Sequence, residues 1–400
     1  MHVQHDIVIV GGGLVGASLA IALKNSGLDV AMVEVAPPGA LPPVFDERNL
    51  SLAEASCHAL EALKIWPLLR TASPIRRIHA SRVGDFGRVA LEAREVDREA
   101  FGHVVIARDF GEALETRLSE VASLTRYRPA RFIGTHLLGD GKREVRLTDA
   151  EGERTLTARL LVGADGADSA VRASLGIHAE RHDYGQTLFV CRVRPQRAPD
   201  GTAWERLGPH GPTALLPRFD RHYGVVHGVA SSDADLVAAL DETAWLARLQ
   251  DAFGWRAGRF VATGERSRYP AMRVVAERLT APRAVLLGNA AQSIHPIGAQ
   301  GFNLGLRDAL TLVEEIAAHG LDDAAMLDDY TRRRSEDRER TLAFSDGLAR
   351  ASSNDALAMR GLRSLGMAAL ANVPGLRAEV ASGGMGYRGD VPALCREVLR

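Results

Sequence analysis

An α/β fold is predicted by three short segments of this chain, each a strand running into a glycine-containing turn. They are Asp6-Ile-Val-Ile-Val-Gly-Gly-Gly-Leu-Val-Gly16, Leu161-Val-Gly-Ala-Asp-Gly-Ala-Asp-Ser169, and Val285-Leu-Leu-Gly-Asn-Ala-Ala291 with its continuation His295-Pro-Ile-Gly-Ala-Gln-Gly-Phe-Asn303. Their order and spacing point to a Rossmann-like nucleotide-binding domain in discontinuous pieces, with a β-sheet domain inserted into it and helices at the C-terminus.

Asp6 to Val10 is a short β-branched run, the mark of a buried parallel strand. Gly11, Gly13 and Gly16 supply G-x-G-x-x-G: a tight turn, a close approach for a pyrophosphate, and room for helix–strand packing. The pattern predicts a helix from Leu14 to Ser26 with Gly27 as its C-cap; its N-terminal N–H groups and positive dipole end would face phosphates. A second apolar strand, Val30 to Val35, carries Glu34, and an acid about 20 residues past the glycines suits a ribose 2′-OH.

Pro37 to Pro43 reads as a loop, Ser73 to Phe101 as strand-like and polar, and Asp109 to Leu124 as a helix. Ala130 to Val162 alternates like a hairpin. Leu160-Leu161-Val162 then feeds Gly163-Ala-Asp165-Gly166, and Ser169 opens a helix. Asp165 either serves a dinucleotide or caps that helix. Strand-type runs follow at Thr187–Val193, Thr213–Arg218 and Tyr223–Val229, then an amphipathic helix to Phe253 with Asp241 as N-cap. The strand at Ala284–Leu287 ends at Gly288-Asn289, and a Pro/Gly loop precedes a helix from Phe302 to His319. Such a loop presents N–H groups and a helix dipole to a delocalised anion, such as the N1–C2=O edge of a reduced flavin. Together the three segments indicate FAD.

The 400 residues are 46% hydrophobic and 25% charged, an ordinary globular composition, and the net charge of -1 argues against a nucleic-acid partner. No apolar run has membrane-spanning length, and no signal peptide is expected before the first strand. Cys57, Cys191 and Cys395 form no C-x-x-C, which disfavours a disulfide-redox enzyme and suits a cytoplasmic compartment. His178 and His182 stand four apart without the pattern of a zinc protease, so no metal is expected. Thr331 to Arg340 reads as a solvated helix face, and His103 as a packed or surface histidine. The expected division is 1–72, 106–180 and 276–345 for the nucleotide domain, 73–105 and 181–275 for the substrate domain, and 346–400 for C-terminal helices.

With these motifs in place, the chain resembles the class A flavoprotein monooxygenases of the p-hydroxybenzoate hydroxylase type. Within them it resembles the 2-polyprenyl-6-methoxyphenol hydroxylases of ubiquinone biosynthesis. The likeness is carried by Phe45-Asp46-Glu-Arg48-Asn-Leu-Ser-Leu52, Phe253-Gly-Trp255, Arg268-Tyr-Pro270 and the run Asn289 to Asn303. Gly288-Asn289 stands where most class A hydroxylases have Gly-Asp; Asn keeps a carbonyl acceptor but no charge.

The resemblance implies a glutathione-reductase-type FAD domain and the following roles. Gly11, Gly13 and Gly16 hold the pyrophosphate and Glu34 the adenosine ribose. Arg48 and Arg108 lie beside the flavin, and Asp165 belongs to the second motif. Asn289 meets the ribitol, and Pro296, Gly298, Gly301, Phe302 and Asn303 form the loop under the isoalloxazine. The implied reaction reduces FAD with NAD(P)H or another donor. O2 then forms a C4a-hydroperoxide that hydroxylates a prenylated phenol. A quinone-biosynthesis assembly and peripheral contact with the inner face of the membrane are implied as well. The alternatives are another ring position, another aromatic substrate, or an O2-independent prenyl reductase of the same fold. Trp66, Trp204, Trp245 and Trp255 form no W-x-W, which disfavours a halogenase. No residue stands out as a catalytic acid or base.

Overall fold

A computed structural model describes residues 3–396 of the chain. The outermost parts of the first and last expected divisions, 1–2 and 397–400, lie outside the described residues. The β-branched run forms the strand Val3–Val10, buried at its C-terminal half. It pairs in parallel with Gly152–Gly163 on one side and Val30–Val33 on the other. Leu124–Tyr127 and Ala284–Leu286 extend this sheet, also in parallel. The hairpin Arg131–Leu137 and Arg143–Asp149 adds to it antiparallel through Gly152–Gly163. Parallel strands need cover on both faces. The Leu14–Ala22, Ala107–Leu118 and Gly301–His319 helices supply apolar residues to the main core with them.

A second, nine-stranded sheet comes from residues 77–92, 179–276 and 292–293. The Glu242–Phe253 helix covers its outer face: Trp245, Leu249 and Phe253 pack with Phe189, Leu215 and Val225. Its inner face turns to the nucleotide-binding part. A Cβ at Gly224 would run into the Asn49 amide, so only glycine lets the two meet there. The fold is therefore an α/β Rossmann-like FAD-binding fold with an inserted β-sheet substrate domain and C-terminal helices.

The differences from the sequence pattern have local causes. The first helix ends at Ala22 rather than Ser26, because tight i→i+3 bonds at Lys24 and Ser26 wind it down before Gly27, at φ +74°. The next helix runs Ala107–Leu118, so Leu124 belongs to a strand. The strand Thr202–Gly208 has no counterpart in the reading of the sequence. His182 lies in the strand Ala179–Pro195, where histidines four apart are not the neighbours they are on a helix.

The solvated-face reading of Thr331–Arg340 holds for one side of the helix, where Arg332, Glu336, Glu339 and Arg340 are exposed, and fails for the other. Within the Ala325–Ser353 helix, Arg334 and Asp337 are both 0% exposed. Arg334 donates through Nε to Asp308 Oδ1 at 2.8 Å and through Nη2 to Asp337 Oδ2 at 2.7 Å, and Arg307 Nε reaches Asp337 Oδ2 at 2.7 Å. Arg333 pairs not with Asp337 but with Glu314, Glu315 and Asp390. Burial tends to neutralise Arg334 and Asp337; Asp308 and Asp337 keep Arg334 charged, and Arg307 and Arg334 keep Asp337 charged.

Candidate active site

The three glycine-containing segments converge on the N-terminus of the Leu14–Ala22 helix. Gly11, at φ +107°, lies against the Ala164 carbonyl, so the first and second segments touch. A Cβ at Gly16 would run into the Gly11 carbonyl oxygen, so helix and turn pack at glycine distance. Val15 sits 2.8 Å from where a Gly288 Cβ would be, which brings in the third segment. Gly13 is different: a Cβ there meets nothing nearer than Val44 Cγ1 at 3.8 Å. It borders open space at a helix N-terminus, where unpaired N–H groups gather. That cradle fits a pyrophosphate.

Glu34 follows its strand and is 6% exposed. Its carboxylate accepts the Gly12 N–H at 2.7 Å and the Ala36 N–H at 2.8 Å. Each oxygen keeps a lone pair for a ribose hydroxyl. The cleft beside it is lined by Gly12, Leu41, Phe45, Glu115 and Arg128. Sequence reading missed Glu115, Arg126 and Arg128. Arg126 bonds Glu115 at 2.8 and 2.7 Å, and Arg128 holds the Pro37 and Ala40 carbonyls at 2.6 Å. The hydrogen bond from Arg126 holds the Glu115 carboxyl below its usual range despite burial. No motif links these residues, so only the fold brings them together.

Asp165 spends its side chain locally: it accepts from Ser169 Oγ at 2.5 Å and from the Val171 N–H at 3.1 Å. Ser169 in turn caps the helix by accepting the Arg172 N–H at 2.9 Å. Asn289 is exposed in the turn after the Ala284–Leu286 strand. Behind it, Asp308 Oδ2 accepts the Gly288 N–H at 3.3 Å and Gln292 Nε2 at 2.6 Å. The buried charge cluster therefore anchors the turn that presents Asn289.

Pro296 and Gly298 are exposed, and Gly298 adopts φ +74° just before the Gly301–His319 helix. Phe302 packs edge-on against Phe110, centroids 5.3 Å apart. Asn303 is 1% exposed and wholly engaged by protein. Its oxygen accepts Ala53 N–H and Ser56 Oγ at 2.8 Å each, and its amide donates to the Ser51 and Ala299 carbonyls at 2.9 and 3.0 Å. It ties the loop to the Asn49–Ala53 strand. Burial pushes the neighbouring His295 down to about 4, so this ring is neutral at physiological pH. The Ile297 N–H donates to its Nδ1 at 3.2 Å.

Arg48, just before the Asn49–Ala53 strand, and Arg108, in the first turn of the Ala107–Leu118 helix, have different partners. Arg48 makes a bidentate pair with Asp46 at 2.8 Å and lies 4.4 Å over the Tyr269 ring. The Tyr269 hydroxyl donates to Asp46 Oδ2 at 2.7 Å. Burial pushes the Asp46 carboxyl up, but the bonds from Arg48 and Tyr269 outweigh it and hold it below its usual range. This triad clips the nucleotide-binding part to the substrate sheet. Arg108 is half exposed and pairs with Glu47. His103 packs on Trp66 at 4.9 Å and beside Cys57, apart from this cluster.

Two other features lie elsewhere. A depression of about 510 Å³ near Glu242, Gly264 and Arg266 opens on the outer side of the substrate sheet, away from the three segments. Glu315, His319 and Asp329 converge within 4.8 Å, but His319 bonds both carboxylates and Arg333 takes Glu315, so the group satisfies itself.

Comparison with known proteins agrees with this geometry. The FAD binding domain family matches residues 4–345. Ubiquinone hydroxylase UbiL of Rhodospirillum rubrum is 36% identical over 374 residues, covering 91% of this chain and 86% of that protein. The 3-demethoxyubiquinol 3-hydroxylase of Escherichia coli K12 is 28% identical, covering 91% of this chain and 94% of that one. The crystal structure of p-nitrophenol 4-monooxygenase PnpA from Pseudomonas putida DLL-E4 superposes with a TM-score of 0.80 at 17% identity, over 97% of this chain and 99% of that chain. PqsL from Pseudomonas aeruginosa does so at 0.75 and 22%, over 91% and 99%. The chain belongs to the FAD binding domain family and is a class A FAD-dependent aromatic monooxygenase related to the quinone hydroxylases.

Proposed function

We propose that this chain hydroxylates the ring of a membrane-resident polyprenylated phenol, of the 2-polyprenyl-6-methoxyphenol class, in ubiquinone biosynthesis. The observation that carries this reading is an exposed apolar helix face whose inner side packs on the substrate sheet. The helix Leu357–Asn372 has no buried residue. Leu357, Leu362 and Leu365 are 82%, 63% and 71% exposed, and Val373 and Leu376 continue the strip. Phe86, 85% exposed, lies on the turn beside this helix, where Gly84 and Gly87 approach Arg360 and Met367. Arg360 and Arg363 beside this strip both pair with Asp85, whose side chain is buried, so the face it turns outward is mainly apolar. Such a surface suits the boundary of a bilayer. On the helix's inner side, Met367 and Leu370 pack with Ile78, Ala80, Ala203 and Leu216 of the substrate sheet. No described helix is long and apolar enough to span a membrane. A greasy substrate would therefore be drawn from the bilayer surface.

FAD, reduced by a nicotinamide, supplies O2 activation and the transfer of one oxygen atom. We assign Gly11, Gly13 and Gly16 to the pyrophosphate, Glu34 to the ribose and Asn289 to the ribitol. Pro296, Gly298, Gly301, Phe302 and Asn303 shape the loop under the ring. Arg48, Arg108 and Asp165 act through the segments they brace. The division at 73–105 and 181–275 for the substrate domain, with 346–400 as a C-terminal helical region, belongs to the same proposal. Chromatographic quinone profiling of a deletion strain tests the reaction. A prenylated intermediate lacking one ring hydroxyl should accumulate, and an unchanged quinone pool would sink the reading. O2 uptake coupled to substrate separates a hydroxylase from a prenyl reductase.

Two predictions arise here. Asn289→Asp should keep FAD, since an oxygen acceptor remains, whereas Asn289→Leu should weaken FAD binding by about 1–3 kcal/mol by leaving a ribitol hydroxyl unpaired. Fluorescence titration of the apoprotein measures both; equal affinity of wild type and the Leu variant would place Asn289 outside the site. Leu362→Glu with Leu365→Glu should abolish flotation with liposomes and leave FAD content intact. Point changes are the right tool, because truncation would also remove Met385 and Cys395, which are 6% and 0% exposed in the core. Unchanged flotation of the double variant would rule this helix out as the contact.

A further inference from the structure

The strand Thr202–Gly208 alternates sharply. Trp204 and Arg206 point to the outer layer: Trp204 packs edge-on against Phe253, and Arg206 Nε donates to the Ala252 carbonyl at 3.2 Å. Ala203, Glu205 and Leu207 therefore face inward, toward the nucleotide-binding part. Ala203 belongs to the apolar cluster that contains Met367 and Leu370. Leu207 belongs to the cluster that contains Ile297 of the flavin-side loop and Ala349. Glu205 stands between the two. Its register neighbours on the adjoining strands are Ala214 and Ala80, so short side chains flank it on both sides.

Glu205 is half-buried, but its Oε1 is fully enclosed and has no hydrogen-bond partner among the described residues. A carboxylate oxygen left unpaired in an apolar layer is costly. The charged and titratable groups on the neighbouring elements of this layer are committed to other partners. Arg82 bonds the Ser352 carbonyl, Asp85 and Asp355. Tyr184 donates to Asp346, which also pairs with Arg350. Arg363 pairs with Asp85, and the Nε2 of His295 faces Gln186 Oε1 at 3.2 Å.

Resting on the hydroxylase reading, we propose that Glu205 receives the phenolic hydroxyl of the substrate and takes its proton. The phenol O–H bond breaks and an O–H bond forms on the carboxylate. The electron pair stays on the phenol oxygen and spreads to the ortho and para carbons, which activates them toward the oxygen atom. O2 and the reduced nicotinamide supply that atom and the electrons. The ring proton then leaves to water, which restores aromaticity as a phenolate, and Glu205 returns its own proton to that phenolate oxygen as product leaves. Burial pushes the Glu205 carboxyl up to about 7, a value suited to a base that works near neutrality.

The test compares Glu205→Gln with wild type as holoenzymes. The variant should keep its FAD and lose about 100-fold in kcat for hydroxylation, the size expected of a missing base. Wild-type kcat should rise with pH through about 7, and that rise should vanish in the variant. A variant that hydroxylates within about threefold of wild type, with the same pH profile, overturns the proposal. A second readout needs no turnover. The raised folded-state pKa means the folded chain holds a proton that the unfolded chain has lost, so wild-type stability falls as pH rises from about 4.5 to about 7. Glu205→Gln should therefore melt above wild type at about pH 8, with the gap closing near about pH 4.5. Absence of the gap overturns the buried, unpaired carboxylate. If the gap is present but wild type hydroxylates no phenol, the hydroxylase reading falls and this role falls with it.

Discussion

Gly13→Val protein should purify folded but colourless. Gly13 caps the Leu14–Ala22 helix at φ −72° and ψ −166°, a conformation open to any L-residue. A Cβ there meets only Val44 Cγ1, at 3.8 Å. The fold should lose no more than about 1 kcal/mol, the scale of an N-cap change. The valine methyls would instead fill the space before the helix N-terminus, where N–H groups and the dipole favour an anion. A pyrophosphate held at distance loses those charge-assisted bonds, so FAD affinity should drop by at least about 100-fold, at about 1.5–3 kcal/mol per bond. Gly16→Ala is the contrasting control. Its methyl would meet the Gly11 carbonyl oxygen, so it should damage the fold itself. Flavin content after denaturation, beside a thermal melt, separates the two effects. A Gly13→Val protein with wild-type flavin content would show that the pyrophosphate does not lie there.

Arg334→Met should be the most destabilising exchange in the charged helix. It takes from Asp308 its ion-pair partner and from Asp337 one of its two arginines, in a layer where all three side chains are at most 2% exposed. Removing one partner of a buried pair costs about 3–5 kcal/mol, because the remaining charge is left uncompensated. FAD retention should fall too, since Asp308 accepts the Gly288 N–H beside Asn289. Arg340→Met, on the same helix, should change stability by about 0.5 kcal/mol or less, because Arg340 and Glu336 are 58% and 54% exposed. Denaturant midpoints and flavin release measure both variants. Equal, small effects would return this stretch to a solvated face.

That contrast marks the boundary between what the sequence determines and what tertiary structure decides. Gly11, Gly13, Gly16, Glu34 and Gly288 were legible because their geometry is local. A strand, a tight turn and a helix start each demand particular backbone freedom within a few residues. The cap at Asp241 was legible for the same reason, and its side chain accepts the Ala244 N–H at 2.8 Å. The buried side of the charge run at 331–340 was not. An Arg–Asp pattern on a helix is the same whether it faces water or a second helix, and only the approach of Arg307 and Asp308 makes it a buried lattice. Arg48 drew attention from its neighbours in sequence, but its stacking on Tyr269 joins residues 221 positions apart. Glu205 carried no signal. A lone acid in a short strand reads as solvent-facing until packing puts apolar clusters along its inward face. The sequence alone thus determined the nucleotide-binding segments, the cofactor class and the two-sheet plan, because short-range backbone rules write them. Tertiary structure decided which charges are buried, which face of the substrate sheet turns inward, and where the C-terminal helices leave their leucines exposed. Those outcomes depend on long-range contacts that no local pattern encodes.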